Sequence, residues 1–219
     1  MKTAILTQTQ KLFLELFGKR AFSRKFYLSG GTALTEFYIP YRFSEDLDFF
    51  SEQEVQVDEV IAFIASVKKR LGFKNFDYNT SFNRNIFFLH FPDYNLKLEF
   101  TYYPFTQLNS PKKEYGVKID GVEDIAVNKL FTIYQNPRSR DFMDLYMIIK
   151  KYGFSIENLI RKAKIKFDWH VDPIKLGSQF LLVTDLKDYP TFIEQLKEID
   201  WQDFFKKEAK KLKEKILDQ

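Results

Sequence analysis

Residues 27–50 read YLSGGTALTEFYIPYRFSEDLDFF, a glycine pair after an apolar run and, fifteen residues later, two aspartates around a leucine. Tyr27 and Leu28 close a short apolar run that stops at Gly30 and Gly31. The following TALTEFYI has the character of a helix ended by Pro40, whose ring blocks further helical hydrogen bonding. The second half of YRFSEDLDFF alternates acidic and apolar residues. In a strand, residues i and i+2 share a face, so Asp46 and Asp48 project together, their α-carbons roughly 7 Å apart, while Leu47 and Phe49 turn to the core. Two neighbouring carboxylates oppose each other's ionisation unless a cation lies between them. A divalent ion resolves the conflict.

The rest of the chain limits which ion that can be. It has no cysteine and two histidines, His90 and His170, which excludes disulfides, iron–sulfur clusters, thiolate nucleophiles and histidine-rich metal sites. A site built from carboxylates alone suits a hard cation, magnesium or manganese. The net charge of +4 is compatible with a phosphate-bearing partner without requiring one. The N-terminal MKTAILTQTQKLFLELFGKR is interrupted by Gln8, Gln10, Lys11 and Glu15, so it reads as an amphipathic helix and not as a signal peptide. No run approaches the roughly 20 apolar residues of a membrane span. The expectation is a cytoplasmic protein with no membrane partner.

Outward from the opening stretch, apolar residues at helical spacing predict one helix through Ile5, Leu12, Phe13, Leu16 and Phe17, and another through Val57, Val60, Ile61, Ile64 and Val67. Gly18 and Gly72 suit their ends. FKNFDY, NRNIFFLHF and NLKLEFTYY read as strands, the last two joined by PDY into an antiparallel hairpin. VEDIAVNKLFTIY and RDFMDLYMIIKKYG are helical, and from Ser155 only helical pieces follow, ending in the lysine-rich FFKKEAKKLKEKIL. The fold class expected is α+β, a mixed sheet with flanking helices plus a C-terminal helical lobe. The division is expected at residues 1–110 and 111–219, within the loop-rich stretch 104–123.

In NLKLEF, Lys97 and Glu99 share one face while Leu96, Leu98 and Phe100 share the other. If this strand lies beside the one carrying Asp46, Glu99 becomes a third carboxylate. Otherwise Lys97 and Glu99 are a surface pair. Three acids on adjacent strands suit metal-assisted phosphoryl or nucleotidyl transfer. Gly30 and Gly31 would then let a phosphate approach the backbone amides at the start of the next helix, with the Thr32 hydroxyl as a further donor.

The combination of SGGTAL, RFSEDLDFF and KLFTIYQNPRSRDFMDLY resembles the AbiEii/AbiGii-type nucleotidyltransferase toxins of the DNA polymerase beta-like nucleotidyltransferase superfamily, over about residues 25–150. The resemblance implies a nucleotidyltransferase-type sheet and an enzyme that moves a nucleoside monophosphate from an NTP to RNA, such as a tRNA 3′ end, or to a protein. It also implies a role as the toxin of a toxin–antitoxin or abortive-infection system, with a cognate antitoxin as partner. It assigns Gly30, Gly31, Thr32, Ser44 and Lys129 to the nucleotide. Magnesium or manganese would lie on Asp46 and Asp48, with Glu99 at a third metal and catalytic position where aspartate is more usual. Asp141 or Asp144 would take a base-like role, although Arg138 and Arg140 offer both acids ordinary ion pairs. The alternative is a catalytically idle nucleotide- or RNA-binding module acting through a partner. His90 is expected to pack or face solvent, the lysine-rich run to be a solvated helix face or, alternatively, an RNA-backbone track, and Trp169 and Trp201 to belong to the core.

Overall fold

Alternation in the sequence becomes a sheet with one buried face. The computed structural model describes residues 5–193 and 198–217. Seven strands, β1 (Tyr27–Ser29), β2 (Leu47–Ser51), β3 (Asn75–Ser81), β4 (Arg84–His90), β5 (Asn95–Tyr102), β6 (Lys112–Glu114) and β7 (Val117–Ile119), form one sheet in the order β3-β4-β5-β2-β1-β7-β6. β2 runs parallel to β5 and β1 parallel to β7, and the remaining pairs are antiparallel. The register sets Asp48 opposite Glu99 and Phe49 opposite Phe100.

One face of the sheet buries Leu28, Phe49, Phe87, Leu98 and Phe100. Against it lie α1 (Gln8–Gly18) and α3 (Val57–Leu71), whose apolar faces supply Phe13, Phe17 and Phe63. Phe17 sits at the centre of an aromatic cluster, its ring 4.8 Å from that of Phe49, 5.5 Å from Phe63 and 5.6 Å from Phe100. Edge and tilted ring contacts of this kind add to the burial energy of each side chain. α2 (Gly30–Phe37) leaves β1 directly, with Ser29 at its N-cap.

The chain divides into two compact units at Gly121/Val122. The boundary expected from the sequence lies after residue 110. β6 and β7, within the loop-rich stretch 104–123, belong to the sheet, and the amide of Asp120 still donates to the carbonyl of Leu28 at 2.9 Å. β3 also extends beyond its predicted end at Tyr78, to Ser81.

The second unit contains α4 (Val122–Gln135), α5 (Ser139–Tyr152), α6 (Ile156–Phe167), α7 (Pro173–Leu181) and α8 (Glu198–Leu217). α6 and α7 start at side-chain caps, Ser155 and Asp172, and α5 ends at Gly153. Phe142, Phe180, Phe205 and Trp201 are buried there. Trp169 is not a core residue, contrary to expectation, and is 55% exposed. On α8 the lysine-rich run turns Phe205 and Ala209 inward, while Lys206, Lys210 and Lys211 pair with Asp203, Glu214 and Glu208 of the same helix. Among the described residues no helix is long and apolar enough to cross a membrane.

Candidate active site

The acidic pair lies at the start of β2, against the glycine turn. Asp48 is the second residue of the strand and Asp46 immediately precedes it. Gly30 has φ +74°, and a β-carbon there would come within 2.6 Å of Asp48 Oδ2. Glycine is therefore required at this position twice over, for its backbone conformation and for the space the carboxylate occupies. Ser29 makes no side-chain cap hydrogen bond to α2, because its hydroxyl donates instead to the buried Asp120 at 2.6 Å. The first turn of α2 thus opens toward Asp48 without a side-chain cap. A helix start of this kind attracts phosphate oxygens.

Thr32 and Ser44 meet beside the loop that carries Asp46. The Thr32 hydroxyl is buried and donates to the backbone carbonyl of Asp46 at 2.5 Å, with the Ser44 hydroxyl 2.9 Å away. Its donor is committed to fixing the loop that presents Asp46, so it does not aim at a ligand. Arg42, which the sequence reading passed over, is buried beside them and donates to the carbonyl of Phe43 at 2.8 Å. A β-carbon on Gly31 would meet its guanidinium. The signal was present in the sequence as a lone arginine between two aromatic residues, Tyr41 and Phe43.

Glu99 does lie beside the aspartates, as the strand pairing anticipated, but it is already engaged. Arg84 of β4 grips both its oxygens at 2.6 Å, Thr101 donates to Oε1 at 3.0 Å, and Lys97 lies 3.5 Å away. Burial alone would raise the Glu99 carboxyl, but the Arg84 and Lys97 cations hold it below the ordinary glutamate value. Lys97 donates to Asp46 Oδ2 at 2.8 Å. Burial pulls its ammonium down, and Asp46, Asp48 and Glu99 together leave it raised. Among the described residues no group of three or more acids or histidines is arranged to hold a metal. Asp48, against the start of α2, and Asp46, paired with Lys97, form a carboxylate pair of the kind that suits magnesium, which binds through one or two carboxylates plus substrate phosphates and keeps several waters.

In the second unit, α4 and α5 bring Lys129, Asp141 and Asp144 into one buried cluster. Lys129 Nζ lies 2.7 Å from Asp141 Oδ1 and 2.7 Å from Asp144 Oδ2, and Arg138 Nε donates to Asp141 Oδ2 at 2.8 Å. Burial would raise the Asp141 carboxyl, yet Lys129 and Arg138 hold it below the ordinary aspartate value. Of the two arginines suggested as partners, Arg138 makes the pair.

The residues sequence reasoning missed are Arg42, Arg84 and the linking role of Lys97. Arg84 begins β4, and its reach to Glu99 lies on a diagonal of the β4–β5 hairpin that the pattern of apolar residues does not mark.

A family model described as nucleotidyl transferase AbiEii toxin, type IV toxin–antitoxin system, matches residues 12–217. The protein aq_aa25 of Aquifex aeolicus (strain VF5) is 32% identical over 164 residues, 74% of this chain and 76% of that protein. The solved structure of JHP933 from Helicobacter pylori superimposes with a TM-score of 0.60 at 20% identity, covering 99% of this chain and 96% of that one. A second H. pylori structure, described as a candidate nucleotidyltransferase, gives a TM-score of 0.60 at 19% identity over 97% and 98%. With a uncapped helix start and an acidic pair on the sheet beside it, and with the family model spanning both units, the chain belongs to the AbiEii nucleotidyltransferase toxin family and is a nucleotidyltransferase.

Proposed function

We propose that the chain transfers a nucleoside monophosphate from an NTP to the 3′ end of an RNA, tRNA being the first candidate, and acts as a toxin restrained by an antitoxin. The observation that carries this reading is the contact of Asp48 with Gly30 at the uncapped start of α2, with Asp46 alongside. The amides of Gly30 and Gly31 would hold the triphosphate, and Arg42 would add positive charge behind them. Asp46 and Asp48 would hold magnesium or manganese, which when bound neutralises the charge that develops on the reacting phosphate. Asp46 would first release Lys97, and the freed ammonium is placed to follow the phosphate. The oxygen of the acceptor hydroxyl bonds to the α-phosphorus, the bond from that phosphorus to the bridging oxygen breaks, and pyrophosphate leaves. The hydroxyl proton goes to solvent. A base-like role for Asp141 or Asp144 suits the geometry less well than positioning the Lys129 ammonium, because a carboxylate gripped by cations and held ionised is a weak base.

Incubation with each α-labelled NTP, total cellular RNA and magnesium tests the reading. Label should enter RNA, and the double change Asp46→Asn/Asp48→Asn should lower transfer by at least about 10³-fold while the fold persists. The engagement of Glu99 by Arg84 favours one rival, an idle module that binds NTP and transfers nothing. NTP binding without label in any acceptor would establish it.

A further inference from the structure

We infer that the open face of β4 and β5 beside Asp46 and Asp48 is the acceptor platform, on which the last base of a single-stranded RNA stacks on Phe88. This rests on the transfer reading given above, and two independent features of the sheet lead to it.

The first is direction. Phosphoryl displacement is in line, so the attacking oxygen enters opposite the leaving pyrophosphate. The leaving group would lie at Gly30 and Gly31, on the β1 side of β2, and the strand order places β5 and then β4 on the other side. An acceptor arriving across β5 and β4 meets that requirement.

The second is what covers that route. Phe88 pairs directly with Lys97 and Ile86 with Glu99, so these two apolar side chains share the face of the candidate site. Their neighbours Phe87 and Leu89 point the other way and are fully buried in the aromatic core. Ile86 and Phe88 stay only half-buried. Cations flank them: Lys97 at one side, and at the other Arg84, whose side chain remains 50% exposed while it holds Glu99. Further along the same face His90 bonds to Asn95 at 2.8 Å and to Asp77 at 2.9 Å, which gives the platform a polar margin. An aromatic ring beside cations on an open sheet face is the arrangement that stacks bases and follows a phosphate backbone. Peptides would find no free strand edge here, since β4 and β5 are paired on both sides.

Fluorescence anisotropy on the full chain with a 5′-fluorescein RNA of about 12 mixed-sequence nucleotides, run beside titrations with mant-labelled NTPs, tests the platform. Phe88→Ala and Phe88→Leu should weaken RNA binding about 10-fold or more, the effect of one lost base–aromatic stack, and Phe88→Trp should retain it. NTP affinity should change less than about twofold in all three, because the ring lies away from the triphosphate. The platform is overturned if the wild-type chain does not bind the RNA, if Phe88→Ala binds it as well as wild type, if Phe88→Leu restores binding as fully as Phe88→Trp, or if label from NTP enters protein and not RNA. Failure of NTP to bind the wild-type chain would instead sink the transfer reading, and the Phe88 series would still decide whether RNA lies on this face.

Discussion

At Gly30 one residue carries two constraints, and they can be separated. A β-carbon there meets both a left-handed backbone and Asp48 Oδ2, whereas Gly72, with φ +83°, has open space around the same position. Gly30→Ala should lower stability by about 1–2 kcal/mol and, by displacing Asp48, cut transfer about 100-fold. Gly72→Ala should cost about 1 kcal/mol and leave transfer intact. Thermal melts and labelled-NTP assays on the two variants check this, and equal transfer in both would detach Gly30 from the site. Glu99 allows a second separation, by pH. Its folded pKa is depressed, so its ion pairs contribute stability that is fully present above the unfolded glutamate value and is lost as pH falls through the lower folded value. Glu99→Gln should therefore destabilise by about 1–3 kcal/mol at neutral pH, discounted for the solvent that reaches Arg84, and by progressively less in acid. A gap in urea midpoint that stays constant from neutral to acidic pH would rule out the ion pair as its cause.

Between elements, the α4–α5 cluster ties two helices together through buried ion pairs. Lys129→Ala leaves two buried carboxylates with one cation fewer, and should destabilise by about 3–5 kcal/mol. Lys129→Met combined with Asp144→Asn should cost less than the sum of the two single changes, and urea melts of all three variants measure the coupling. Additive costs would mean that the contact at 2.7 Å contributes nothing. The elements read best in advance were those with local causes. The turn at Gly30, the stop at Pro40 and the period of two in DLDFF act over a few residues each, so α2 and β2 were legible. β6 and β7 were not, because each has three residues and β7 joins the sheet through Tyr27 and Leu28, paired with Lys118 and Ile119 far along the chain. The place of Glu99 beside Asp48 was legible only on the condition that the two strands pair, and its capture by Arg84 depends on a diagonal across β4 and β5 that residue spacing does not express. The same holds for Thr32, whose donor position was legible and whose acceptor, the Asp46 carbonyl, was not.

Over the whole molecule, the lysines of α8 are the feature most easily mistaken for a nucleic-acid track. Lys206, Lys210 and Lys211 each pair with an acid three or four residues away on the same helix. Replacing Lys206, Lys210 and Lys211 together with Gln should leave the salt dependence of RNA binding unchanged. Three lost phosphate contacts would instead flatten the slope of log K against log salt by about 0.7 each on a single strand. Titration of the fluorescein RNA at several ionic strengths decides between these outcomes.

The division at Gly121/Val122 also sorts the chromophores. Both tryptophans, Trp169 and Trp201, fall in the helical unit, and the sheet unit has none. Trp201 is 1% exposed, with Tyr189 edge-on to it at 6.2 Å. Red-edge excitation, which tyrosine does not absorb, therefore illuminates only the helical unit. Far-ultraviolet dichroism, by contrast, registers both units at once. The unmodified chain thus carries an optical label for half of itself, and a tryptophan emission curve that parts from the dichroism curve on heating would show the two units melting as separate cooperative bodies.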